Sequence, residues 1–461
     1  MIKRTFQEVA HMLGVSIKEV EYSQIKISGV SINSKTIEAG NLFIPLKGEK
    51  RDGHEFVKMA FENGAAASLW QKDYPNPPEG YPLIFVEDTL RALQELAKAY
   101  RNELNLKVVG ITGSNGKTTT KDITAAILAS QYKVQKTIGN FNNEIGLPLS
   151  ILQLEEDTEI AVLEMGMNRF GEIHLLSNIA RPDVAVITNI GDAHLQELGS
   201  RYGISKAKLE ILNGLKDGGL FVFNGDEPLL LNQIKTLNGE GKWRVKTFGR
   251  ETSNDLFLTS IQVTTNGMLF TINEYNDTLL LPILGEYNVL NALSAIHVAL
   301  EFQIPFSKIK KSLHTISLSN MRMELIDGMN GSKILNDAYN ASPTSMKAVI
   351  DLAGKLEGYK RKILVLGDML ELGESEIQLH EEIGESINPN DFNYLFTFGK
   401  LAESIANAAR NKWTDKNVFS FQDKSQLIKE LKEIVNEGDL IVVKGSRGMK
   451  LEEVAYALAH Q

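Results

Sequence analysis

The sequence predicts an α/β fold in three domains, the central one a doubly wound, mostly parallel sheet. Three observations carry this. The chain is 461 residues long, which is too long for one core at roughly 100–200 residues per domain. Apolar runs at Val108–Ile111, Glu159–Leu163, Val184–Ile187 and Leu220–Phe223 alternate with helical stretches, the pattern of parallel strands covered on both faces. A glycine-rich segment, Gly110 to Thr120, stands between the first of these runs and a helix.

The elements follow in chain order. Residues 1–104 hold short strand signals such as Asn41–Leu46, a helix over about Gly53–Asn63, a Pro-rich surface loop at Tyr74–Pro78 and a helix over Thr89–Asn102. Residues 105–314 carry the alternating strands and helices. Within them Asp255–Leu281 alternates polar and apolar residues, as a meandering antiparallel sheet does. A third region, 315–461, opens near Ser317. It repeats the alternation with runs at Lys333–Leu335, Lys362–Leu366, Tyr394–Phe398 and Asp439–Val443, which predicts a smaller Rossmann-like α/β domain.

Composition narrows the function classes. The formal net charge is −9, with 43% hydrophobic and 23% charged residues. No basic stripe appears, which argues against nucleic-acid binding. There is no cysteine, so disulfides, thiolate catalysis and Cys-based zinc sites are excluded. No apolar stretch of about 20 residues could span a bilayer, and no secretory signal is visible. A cytoplasmic location is the expectation.

Gly110-Ile111-Thr112-Gly113-Ser114-Asn115-Gly116-Lys117-Thr118-Thr119 has the form of a phosphate loop. Glycines let backbone N–H groups curl around an anion, and the following helix adds the positive end of its dipole. Gly113, Asn115, Gly116, Lys117, Thr118 and Thr119 are the candidate contacts. Lys117 suits β/γ-phosphate charge and the Thr118 hydroxyl suits Mg²⁺. The loop is a variant, because the common pattern has glycine where this chain has Ile111.

Ligands of open α/β sheets bind beyond the carboxyl ends of strands. Glu164 follows such a strand and offers oxygen to Mg²⁺, although a solvated strand-end carboxylate reads the same way. His194, one of eight histidines, lies in a Gly-Asp loop after another strand. Its reading is open between a structural loop histidine and a metal or catalytic group. By spacing alone, Lys206 and Lys208 form a solvated helix face. The amide-rich run Thr137–Gly146, with Asn140, Asn142 and Asn143, is either an Asx-rich turn or a reader of sugar, phosphate or peptide. In the third region Asn336–Pro343, Leu366–Gly373 and Val443–Gly448 are polar loops after strands, so that sheet edge faces a ligand.

Taken together and in order, these segments resemble the Mur ligase family over nearly the whole chain. Thr112–Thr118 is similar to its ATP loop, and Asn189–His194 with Ala207-Lys208 looks like its metal segment. Leu284–Ala292 resembles its adenine-contacting helix start, with Tyr287 where the family usually has His. Asn33-Ser34-Lys35 and Asp52–Phe56 resemble a uridine-diphosphate domain, with Asn33 and Lys35 departing from the usual Asp-Ser-Arg. Asp337–Met346, with Tyr339 and Asn340, and Leu366–Gly373 look like the branch that adds D-alanyl-D-alanine to a UDP-N-acetylmuramoyl tripeptide.

The resemblance implies an ATP-dependent amide ligase acting through an acyl phosphate, in a monomeric cytoplasmic protein. Asn288, Arg322 and Asp337 would bind adenine, phosphate and ribose. Ser34, Asn140, Asn142, Asn143, Tyr339 and Asn340 would meet the other substrates. Thr118 and Glu164 would share one Mg²⁺. Lys208, carbamylated by CO₂, would with His194 support a second, so that Lys117, His194 and Lys208 form the catalytic set. The rival readings are a diamino-acid-adding relative, which would carry an Asn-Pro-Arg motif absent here, a folate-polyglutamate-type ligase, a P-loop phosphotransferase and a non-catalytic nucleotide-binding regulator.

Overall fold

In a computed structural model, residues 1–17, 20–192, 194–237, 242–264, 267–316, 319–413 and 415–459 are described. Ala193, in the loop before His194, and Ser317, where the third region was expected to open, lie outside them.

A nine-stranded sheet occupies the centre. Its order runs Tyr275–Leu281, Gly267–Ile272, Leu256–Thr264, Arg244–Gly249, Leu220–Asn224, Val184–Ile187, Lys107–Thr112, Ile160–Glu164, Val134–Lys136. The strands pair in parallel from Val134–Lys136 to Leu256–Thr264, and the last two are antiparallel, as the alternation over Asp255–Leu281 predicts.

Side chains of a strand point alternately to opposite faces, and here both faces are buried. Val109, Ile111, Val162, Val186 and Val222 pack on one side with the helices Lys117–Leu128 and Glu286–Glu301. Val108, Leu163, Ile187, Phe221 and Phe223 pack on the other with Thr89–Glu103, Gly146–Leu152 and Glu172–Ala180. The helix Thr89–Glu103 shows why it forms. Asp88 accepts from the Arg91 N–H as N-cap, and Leu93, Leu96, Ala97 and Tyr100 fall on one buried face.

Each face of this sheet continues into a different end of the chain. The second face shares one core with Ile2, Phe6, Leu42, Leu69 and Ile84 of the N-terminal region. There a four-stranded parallel sheet, Val30–Ser31, Leu42–Phe43, Ala67–Gln71, Leu83–Val86, stands beside the antiparallel pair Lys3–Thr5 and Lys26–Ser28. The first face shares its core with Leu335, Leu364, Leu366 and Val442 of the C-terminal sheet. That sheet has six strands in the order Glu324–Asp327, Lys333–Asn336, Asp439–Lys444, Arg361–Gly367, Tyr394–Phe398, Val418–Phe421, with only the first antiparallel.

The predicted α/β class and the doubly wound centre are therefore observed. Val184–Ile187 and Tyr394–Phe398 keep their predicted bounds, the other predicted runs widen or narrow by a residue or more, and Asn41–Leu46 shrinks to the strand Leu42–Phe43. Arg244–Gly249, Val134–Lys136, Glu324–Asp327 and Val418–Phe421 escape sequence reading. Three of them lie at sheet edges, and the other, Arg244–Gly249, begins with three exposed residues. Among the described residues, no helix is long and apolar enough to cross a membrane.

Ile111, the residue at the departure from the common phosphate-loop pattern, is wholly buried in the first face. Ile111→Ala is expected to lower stability by about 2–5 kcal/mol, read as a fall in the urea unfolding midpoint.

Candidate active site

The chain changes its direction of build across the central sheet between Lys107–Thr112 and Val184–Ile187, which are neighbours. Loops after strands at such a switch point diverge and leave a crevice. The phosphate loop and the segment Thr188–Gly191 meet there. Thr188 Oγ1 donates to the Asn115 carbonyl at 2.6 Å, Asn189 Nδ2 donates to the same oxygen at 3.0 Å, and the Asn115 N–H donates to Asn189 Oδ1 at 2.9 Å. The Gly191 N–H donates to Ser114 Oγ at 2.9 Å.

Two glycines are required. Gly116 has φ +79 and Gly113 φ +153, conformations that other residues rarely adopt. A Cβ on Gly113 would run into the Thr188 side chain, and one on Gly116 into the Asn291 amide.

Helix Lys117–Leu128 starts from this loop. Lys117 Nζ donates to the Gly113 carbonyl at 2.8 Å, and burial lowers its pKa. Thr118 Oγ1 donates to Glu164 Oε2 at 2.9 Å, and Asn142 Nδ2 donates to Glu164 Oε1 at 2.8 Å. Arg322 reaches in from the start of the C-terminal region, with Nη2 3.0 Å from Thr118 Oγ1 and its guanidinium 4.0 Å over the Tyr339 ring. Arg322 Nε is buried without an acceptor.

These groups border one cleft of about 570 Å³. The structure brings every sequence-predicted site residue to its wall except Gly113, Ser34 and Lys208. Ser34 sits in the N-terminal region, where its hydroxyl faces Met59 Sδ at 3.6 Å. Asn143 borders the cleft while its Oδ1 accepts from the Gly146 N–H at 2.8 Å, so it also caps a helix, as an Asx-turn reading expects. Asn288 is buried, with Nδ2 donating to the Leu284 carbonyl at 2.7 Å and Oδ1 accepting from Asn291 Nδ2 at 3.3 Å. One N–H and one lone pair of its amide are left for a ligand. Asp337 accepts from Lys444 Nζ at 2.5 Å and from the Met323 N–H at 3.1 Å. The Asn340 carbonyl accepts from the same lysine at 3.0 Å.

Lys208 departs from the reading by spacing. Lys206 is exposed, but Lys208 is 2% exposed. The helix Arg201–Leu209 turns that residue into the protein, a tertiary effect that charge spacing does not reveal. Among the described residues it has no hydrogen-bond or ion-pair partner. Burial, assisted by the Lys117 ammonium, holds its pKa well below the ordinary lysine range. His194 has φ +65, and its Nδ1 lies 3.1 Å from Glu371 Oε2. That hydrogen bond lowers the Glu371 pKa.

Several residues of the site were not singled out from sequence. Asn291 lies one helical turn after Asn288, a signal that could have found it. Lys444 ends a strand, which is the same signal that selected Glu164. Lys121, 1% exposed and 3.9 Å from Glu164 Oε2, is one turn after Lys117. Thr344, whose Oγ1 donates to Asp192 Oδ2 at 2.7 Å, gave no signal.

The donor set can be tested against the groups the resemblance implies. A buried guanidinium nitrogen without an acceptor, a buried lysine turned on its own loop and glycine-built backbone fit a polyphosphate. A hydroxyl and a carboxylate 2.9 Å apart fit Mg²⁺. Among the described residues there is no cluster of three or more His, Asp or Glu that could hold a metal ion. Mg²⁺ would therefore complete its shell with phosphate oxygens and water, its usual habit.

Fold and cleft define a phosphate-loop α/β protein whose loop shares one cleft with residues of a second α/β sheet region. Models of known families match three stretches: the Mur ligase family catalytic domain at residues 26–101, the Mur ligase middle domain at 111–299 and the Mur ligase glutamate ligase domain at 321–447. The chain belongs to the Mur ligase family. It is 51% identical over 454 residues, 98% of each chain, to the UDP-N-acetylmuramoyl-tripeptide–D-alanyl-D-alanine ligase of Bacillus subtilis (strain 168). A crystal structure of MurF from Acinetobacter baumannii superposes with a TM-score of 0.88 at 29% identity, covering 100% of both chains. MurF ligase from Thermotoga maritima in complex with ADP gives 0.82 at 31% identity, covering 94% of this chain and 97% of that one.

An ordinary lysine, with pKa about 10.4, is charged in the unfolded chain at neutral pH. The folded chain holds Lys208 neutral down to a lower pH, so unfolding takes up a proton and stability rises with pH across that window. Lys208→Met should therefore raise Tm at neutral pH in CO₂-free buffer, with a gain that shrinks as pH approaches about 10. Tm of both proteins across pH checks this.

Proposed function

We propose that this chain is an ATP-dependent amide ligase that joins D-alanyl-D-alanine to a UDP-N-acetylmuramoyl tripeptide, forming the pentapeptide precursor of peptidoglycan with ADP and phosphate. The observation that carries the reading is the meeting of the phosphate loop with Arg322, Tyr339 and Asn340 in one cleft, in a chain 51% identical along its length to a B. subtilis enzyme of that name.

In this reading residues 1–104 hold the UDP-muramoyl substrate, with Ser34 among the contacts. Residues 105–314 hold ATP, and residues 315–461 close over it to exclude water. The tripeptide carboxylate oxygen attacks the γ-phosphorus as the bond to the ADP oxygen breaks, leaving an acyl phosphate. The dipeptide amine then attacks the acyl carbon, the C–O bond to phosphate breaks, and the nitrogen loses a proton. Asn140, Asn142 and Asn143 line the path of the peptide substrate.

Lys117 turns from the Gly113 carbonyl to the β/γ-phosphate oxygens, and Arg322 gives its free Nε–H to the same charge. Asn288 contacts adenine and Asp337 the ribose. Thr118 and Glu164 would hold one Mg²⁺, and His194 with Lys208 a second; such ions would supply positive charge against the phosphate oxygens. For Lys208 this requires carbamylation. Its neutral amine adds to CO₂ and loses a proton, turning a cation into an oxygen ligand. Its burial and depressed pKa support that step. In this reading the chain acts as a monomer. The UDP-linked substrate and the lack of cysteine support a cytoplasmic location.

With UDP-muramoyl-tripeptide, ATP and Mg²⁺, ADP release should depend on D-alanyl-D-alanine, with a matching mass gain on the UDP-peptide. A response instead to a diamino acid with UDP-muramoyl-dipeptide would move the chain to the sister ligase. ADP release indifferent to either would point to a phosphotransferase. Lys117→Met should lower kcat by about 10²–10³-fold in this assay. Lys208→Ala should be inactive and partly rescued by a small carboxylic acid, and full activity without rescue would remove the carbamate.

A further inference from the structure

Glu371 has no part in the chemistry above, yet it is the residue of the C-terminal region that reaches the candidate metal histidine. Its Oε2 lies 3.1 Å from His194 Nδ1. Both residues hold left-handed backbone, each with φ +65. For residues other than glycine this conformation is strained and persists only where the surroundings impose it.

The surroundings do so from two separate sheets. The loop Asp368–Leu372 is fixed within the C-terminal region: the Met369 N–H donates to Nε2 of the buried His380, in helix Glu376–Ser386, at 2.9 Å, and the Leu370 N–H donates at 2.9 Å to Oγ of Ser446, just past the strand Asp439–Lys444. His194 follows the central strand Val184–Ile187. A second contact, Thr344 Oγ1 to Asp192 Oδ2 at 2.7 Å, ties the loop before His194 to another element of the C-terminal region, the first turn of helix Pro343–Lys355.

A carboxylate oxygen only accepts, so a hydrogen bond across this 3.1 Å pair puts the hydrogen on His194 Nδ1. In a neutral ring that leaves Nε2 bare, with a lone pair for a cation. Metal-binding histidines commonly gain their orientation from such an outer carboxylate. We infer that Glu371 is a positioning residue that sets the tautomer and direction of His194 from across the domain interface, so that His194 becomes a competent cation ligand only when the C-terminal sheet stands against the central one. This rests on the reading of His194 as a cation ligand. It also couples that ligand to closure: water is excluded and the ligand is set by the same movement.

The test has two readouts, neither of them turnover. In metal-free protein labelled with ¹⁵N-histidine, the His194 ring, identified by its loss in His194→Gln, should show hydrogen on Nδ1. Glu371→Ala should lose that fixed tautomer, and Glu371→Gln should keep it, since the amide oxygen still accepts. In protein holding a non-hydrolysable ATP analogue, Mn²⁺ titration followed by electron paramagnetic resonance should show one ion bound about 10–100-fold more weakly in Glu371→Ala, with Glu371→Gln near wild type. The side chain is 66% exposed, so both variants should keep the wild-type Tm. An unchanged tautomer, or unchanged Mn²⁺ binding, in Glu371→Ala overturns the inference. His194→Gln separates the two failures. If it weakens Mn²⁺ while Glu371→Ala does not, only the inference falls; if it binds Mn²⁺ as wild type does, the ligand reading falls and the inference with it.

Discussion

Thr188 holds the phosphate loop from the side. Its hydroxyl bonds the Asn115 carbonyl, and its side chain fills the space that any Cβ on Gly113 would need. Asn291 does the same at Gly116 from the facing helix. This close approach of backbone to two side chains fixes where helix Lys117–Leu128 begins and which way its first turn points. From that follow the bond from Thr118 to Glu164 on the next strand and the reach of Arg322 to the same hydroxyl. The site is thus set by packing of the loop against its neighbours, and the charged groups take positions that packing has already defined.

Those charged groups are distributed unusually. In a chain of net charge −9, Lys117, Lys121 and Arg322 gather around Glu164, with Lys208 next to Lys117 and one further buried carboxylate, Asp122, 3.7 Å from Lys121. Burial depresses the pKa of all three lysines, and Lys117 presses on Lys208. Such a group is unfavourable without a counter-charge, and a polyphosphate supplies one. Local charge opposite in sign to the whole molecule also focuses an anion on the cleft while the rest of the surface repels it.

The sequence made the parallel core legible because buried parallel strands read as continuous apolar runs. Val184–Ile187 and Tyr394–Phe398 match to the residue. The phosphate loop was legible because its chemistry is local. What escaped is long-range. Thr118 and Arg322 are 204 positions apart, and nothing within either segment announces the contact. Lys208 misled by spacing, since burial of one helix position is decided by what packs on it. Edge strands such as Val134–Lys136 and Val418–Phe421 are too short to show a period. Glu371 stood in a segment whose resemblance was noted, but its partner could be found only once two loops were seen face to face.

The central sheet is a wall shared by two rooms. One face completes the core of the N-terminal region, the other that of the C-terminal region. The three stretches matched by family models suggest places to cut the gene, yet the apolar interior runs across those cuts. A middle stretch expressed alone would keep helices Lys117–Leu128, Gly146–Leu152, Glu172–Ala180 and Glu286–Glu301 over its sheet but lose Thr89–Glu103 and the apolar residues of both neighbouring regions that complete each core, and the contiguous apolar patches so exposed drive aggregation. The terminal stretches would each lose the partner against which their own helices and strands pack. Genetic fusion, splitting or swapping within this architecture should therefore carry the neighbouring face along with each piece.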